Sequence, residues 1–91
     1  MDFNKLNSEL YQLSAPYKFS KQPTDFDKGY MKISNWLNDL CYYYEKKRQT
    51  EELHNENEFK AVIKKHKDKI EELGPSEYKD GLLKALQNIK S

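Results

Sequence analysis

FDKGYMKISNWLNDLCYYY, residues 26–44, carries Phe26, Tyr30, Ile33, Leu37, Leu40 and Tyr44 at alternating spacings of four and three. That rhythm marks one face of an α-helix. FKAVIKKHKDKIEEL, residues 59–73, repeats it with Phe59, Ile63, His66, Ile70 and Leu73. A helix with one narrow apolar stripe and charge on its other faces is not stable alone; its ordering is offset only when the stripe is buried on a partner. The two stretches therefore specify an all-α protein built on helix-on-helix contact.

The flanking residues set the ends of the elements. Thr24 offers an oxygen to the first turn and Asp27 is its reciprocal partner in a capping box, so a long helix is predicted over 25–48. Upstream, Phe3, Leu6, Leu10 and Leu13 have helical spacing with Asp2 or Asn4 as cap. This first helix is predicted over 3–14, because the residue before Pro16 avoids the helical region. Downstream, Gly74 suits a left-handed stop, Pro75 forbids continuation and Ser76 caps a last helix, 76–90, with Tyr78, Leu82, Ala85, Leu86 and Ile89 as its stripe.

The polar stretch between Lys46 and Glu58 admits two architectures. In one, the chain turns within residues 49–57, Asn55 caps a third helix (56–73) with Glu58 as its box partner, and the result is a three- or four-helix bundle built on a long helical hairpin. In the other, one helix runs from Asp25 to Leu73, roughly 75 Å at 1.5 Å per residue, and a dimer partner covers it. The two stripes stay within about 30° of each other through the middle, so phase permits either. Average helix length favours the hairpin.

Composition agrees with one small helical domain spanning 1–91. Sixteen bases nearly cancel fifteen acids, which argues against a solvated polyelectrolyte, and twelve aromatics supply core and surface contacts. So short a chain buries a modest core, and self-association as a homodimer would add to it. The single cysteine, Cys41, excludes an intramolecular disulfide and fits a reducing, cytoplasmic setting. No basic start followed by an apolar run, and no window of about twenty apolar residues, suggests a leader or a membrane helix.

Nothing in the chain has the spacing of a phosphate loop, a cysteine metal site or a nucleophile motif, so a non-enzymatic protein without metal or cofactor is expected. Glu51-Glu52-Leu53-His54 contains one Glu-x-x-His, but a di-iron site needs a second copy and further inward carboxylates. His66 lies on an apolar stripe without a nucleophile or orienting acid beside it, which is the pattern of a packed histidine.

Helix 25–48 has more aromatic surface than one stripe requires. Trp36, Tyr42 and Tyr43, with Tyr17 and Phe19 in the preceding loop, are the expected contacts with another protein, since such rings are enriched in interface cores. An adaptor, regulator or inhibitor is the class implied. The alternative is a nucleic-acid-binding accessory protein whose lysines track phosphates while rings stack on bases. Its contacts would be Lys18, Lys21, Lys46, Lys47, Arg48, Lys60, Lys64 and Lys67. Near-neutral net charge and a single arginine weigh against it.

Overall fold

The chain folds, in a computed structural model that describes residues 2–47 and 52–89 without the side chains of 52–54, into four helices. They are α1 (Phe3–Lys18), α2 (Asp25–Lys46), α3 (Glu52–Glu71) and α4 (Glu77–Leu86). No strand occurs among the described residues. Helix α2 is the centre, with α1, α3 and α4 all packed against it.

Three of the helix starts follow from single residues. Asp2 accepts from the Lys5 amide at 3.0 Å. Thr24 and Asp27 form both bonds of the expected capping box, at 3.2 and 3.0 Å. Ser76 accepts from the Lys79 amide at 3.0 Å. Each satisfies an amide that the first turn leaves without an intrahelical partner.

The hairpin, not the rod, is the architecture. Trp36 of α2 and His66 of α3 stack with ring centroids 4.2 Å apart, and the longest dimension of the molecule is 41 Å. A continuous helix would hold those two residues about 45 Å apart. The apolar stripe of α2 is covered by its own chain, with Tyr30, Ile33, Leu37, Cys41 and Tyr44 all buried.

Four boundaries differ from the sequence expectation. Helix α1 continues through Pro16 to Lys18 because Tyr17, in the last turn, stacks on Tyr30 at 3.9 Å and meets Phe26 at 6.0 Å. That packing offsets the hydrogen bond a proline cannot donate. Helix α3 begins at Glu52, so Asn55 is not its cap. Asn55 is fully buried and its Nδ2 donates to the Lys47 carbonyl at 3.2 Å, closing the end of α2 instead. Glu58, expected to answer Asn55, accepts from the Tyr44 hydroxyl at 3.1 Å.

The third difference is at Gly74. No glycine here has a positive φ, so α3 does not stop through a left-handed residue. It ends at Glu71 in a tighter turn, Leu73 amide to Ile70 carbonyl at 3.0 Å, and Lys79 reaches back to the Glu71 and Leu73 carbonyls at 3.2 and 2.8 Å. A cation at a helix C-terminus also suits the helix dipole. The fourth is α4, which ends at Leu86, followed by tight turns through Ile89.

Two glycines decide how α2 meets α4. A methyl group added at Gly81 would collide with the Phe26 carbonyl and lie 2.8 Å from the Tyr30 amide nitrogen. One added at Gly29 would collide with the Tyr78 carbonyl and lie 3.2 Å from the Leu82 amide nitrogen. The helices thus cross backbone to backbone, each glycine making room for the other helix. Leu82, Ala85 and Leu86 continue the contact into the core. At the far end of α2, Phe3, Tyr44 and Phe59 bring α1, α2 and α3 together.

Candidate functional site

Helices α1 and α2 run antiparallel, since Phe3 stacks on Tyr44 at 5.6 Å and Tyr17 on Tyr30. Between these ring pairs, the buried Asn38 donates to the Asn7 side-chain oxygen at 2.7 Å. This antiparallel frame fixes where the five aromatic contact residues lie. Tyr42 and Tyr43, 60% and 53% exposed, occupy consecutive positions at the C-terminal end of α2. Phe19 is 74% exposed but lies by the other end of α2, past Tyr17. The run of α2 between Tyr30 and Tyr42 is about 18 Å long, so the three exposed rings do not form one patch.

Trp36 and Tyr17 are half-buried by contacts within the chain. The cover on Trp36 comes from His66, with rings nearly parallel at 23°. The cover on Tyr17 comes from Tyr30 and Phe26. Tyr42 and Tyr43 each carry a lysine over the ring, Lys46 at 4.7 Å and Lys47 at 5.7 Å from the centroids. Tyr43 also packs edge-on against the buried Tyr44 at 5.0 Å. The two tyrosines form a ridge in which Tyr43 rests on a buried ring, while more than half of each residue's surface stays in water beside its lysine.

The basic residues fall in three separate places. Lys18 and Lys21 sit around the α1–α2 loop, where Lys18 covers Phe19 at 5.6 Å. Lys46 and Lys47 border the tyrosine ridge, and Lys47 also pairs with Glu58 at 3.5 Å. Lys60, Lys64 and Lys67 line a groove between α3 and α4. Arg48 and the Glu-x-x-His at 51–54 lie outside the described residues or side chains. Among the described residues no three histidine, cysteine or acidic side chains converge as a metal site would require.

Burial shifts three titratable side chains of the bundle. Burial pushes the Cys41 thiol up to about 11, far from the thiolate that a nucleophile needs. Burial, then the bond to Glu58, pushes the Tyr44 hydroxyl up to about 12. His66 is lowered from 6.5, first by burial and then by Lys69 on its own helix and Lys32 on α2. The folded chain thus prefers the neutral ring.

The sign of the pH effect follows. As pH falls through 6.5 the unfolded chain takes up a proton before the folded one does, so stability declines until the lower folded-state value is passed. Trp36 is the one tryptophan and lies against this ring, so its fluorescence reports the titration directly. We expect quenching on acidification with a midpoint below 6.5, absent in His66→Phe. A midpoint above 6.5 would mean that attraction between the indole face and imidazolium outweighs burial.

The α3–α4 groove and the α2–α4 glycine crossing were not evident from the sequence. Gly29 and Gly81 gave the one available signal, being interior to helical patterns where neither capping nor turning is needed. No described helix is long and apolar enough to cross a membrane. No known protein family matches the chain, and neither a curated protein nor a solved structure shows similarity to it.

Proposed function

We propose that this chain is a non-enzymatic protein-interaction module that works as an adaptor, regulator or inhibitor, with the Tyr42–Tyr43 ridge as its contact. The observation behind this reading is the pair of consecutive tyrosines left largely in water on the central helix. Tyrosine buries a large area at low entropic cost and keeps a polar tip, the profile of an interface anchor. Trp36 lies seven residues before Tyr43 on the same helix and is itself covered by His66. A second copy of the chain is the first partner to test, and a cytoplasmic setting accords with the lone, reduced cysteine.

Dispersal of the lysines disfavours the nucleic-acid alternative. A single strand needs cations and open rings along one continuous track, whereas the cations here lie in three places and several already cover the chain's own rings. A photo-crosslinking residue at Tyr42, in cells, tests the proposal. A discrete cross-linked protein or dimer, lost on Tyr43→Ala without loss of helicity, is the expected result. Cross-links only to nucleic acid, or no discrete product, would sink it.

A further inference from the structure

We propose that the groove between α3 and α4 takes an acidic amphipathic helix of another protein. The groove is a second surface and does not rest on the tyrosine ridge. Its volume is about 700 Å³, and its floor is apolar, formed by Ile63, Leu83, Leu86 and Ile89. Ile63 and Leu86 are buried, while Leu83 and Ile89 are half-buried and offer area to an occupant. Apolar floors with a few placed polar groups are the usual composition of binding clefts.

The wall identifies the occupant. Lys60, Lys64 and Lys67 stand at i, i+4 and i+7 along α3, forming one cationic edge about 10 Å long. A helix laid in the groove presents its own side chains with the same period, so three carboxylates along one of its edges meet the three ammonium groups in register while its apolar stripe covers the floor. A fatty acid or other single-headed anion would use one of the three.

Existing ion pairs do not close the edge. Lys60 pairs with Glu56 at 3.3 Å and Lys67 with Glu71 at 4.0 Å, both within α3 and part-exposed, and pairs of this kind are weak. Lys64 pairs with no described carboxylate. Glu71, at one end of the groove, favours a basic residue on the partner there and so sets its direction. A second copy of this chain is a poor occupant, since its own apolar stripes are spent in the bundle and no described helix carries an exposed stripe beside three carboxylates.

Two synthetic helical peptides with the same leucine stripe, one edged with glutamate and one with lysine, distinguish the cases when titrated into isotope-labelled full-length chain. The glutamate peptide should shift amides along Lys60–Lys67 and Leu83–Ile89 and bind at least tenfold more tightly than the lysine peptide. Its affinity should fall as salt rises. Replacing Lys60, Lys64 and Lys67 together by glutamate should reverse the preference at unchanged helicity. Equal binding of both peptides, binding of neither, or shifts confined to Tyr42 and Tyr43 would overturn the proposal. So would binding of anionic phospholipid vesicles with no response to the glutamate peptide. The ridge proposal survives each of these outcomes, because its test reads cross-links at Tyr42.

Discussion

Gly81→Ala should lower the stability of the folded chain by about 3 kcal/mol, at or beyond the upper end of ordinary overpacking. Overpacked cores usually relax by moving side chains, and here the obstacle is the backbone of α2 at Phe26 and Tyr30. Relief requires separating α2 from α4, which uncovers Leu82, Ala85 and Leu86. For a domain of this size the loss corresponds to a melting temperature lower by roughly 12–24 °C. Gly29→Ala should act similarly through Tyr78, and the double variant should not fold at 37 °C. Gly74→Ala is the control. Its added methyl meets nothing within 4 Å and its φ is not positive, so it should stabilise by about 0.4–1 kcal/mol through the unfolded chain. Denaturant titrations of the three variants check the order. Equal effects at Gly74 and Gly81 would exclude the backbone crossing.

Phe59→Ala should cost about 3–5 kcal/mol, the range for deleting a fully buried ring. Phe59 has no exposed surface and meets Phe3 at 5.2 Å and Tyr44 at 5.7 Å, both edge-on. Its removal leaves a void where three helices meet, and neither neighbouring ring can fill it without losing its stacked partner. Phe59→Leu, which keeps most of the volume, should cost less than half as much. The two variants differ in what they test: a small loss for alanine would mean that α3 swings away from α2 and α1 in solution. Trp36 fluorescence would show this as loss of the His66 contact.

How much of this was legible beforehand depends on where the determining interaction lies. Thr24 with Asp27, and Ser76, could be read because their partners are three residues away in the chain. The stripe of α2 could be read because burial on any partner imposes the same period. Pro16 was misjudged for the opposite reason: what keeps α1 helical past it is Tyr17 on Tyr30, a contact between elements. Asn55 carried a capping signal of the right kind but serves the end of α2 instead of the start of α3. The ridge was half legible, since exposed rings and covered rings have the same letters. Trp36 is withdrawn from water by His66, a residue whose place opposite it depends on the hairpin, while Tyr42 meets no such ring among the described residues.

The α2–α4 crossing bears on whether the chain can be divided. The polar stretch between α2 and α3 divides the four helices into an α1–α2 half and an α3–α4 half along the chain. Gly29 and Gly81, however, stand 52 positions apart and let the backbones of α2 and α4 meet across that division. A nick in the connection after Lys47 would leave each fragment without the surface that the other supplies. The fragments would regain structure only as a complementing pair, and the whole should melt as one cooperative unit.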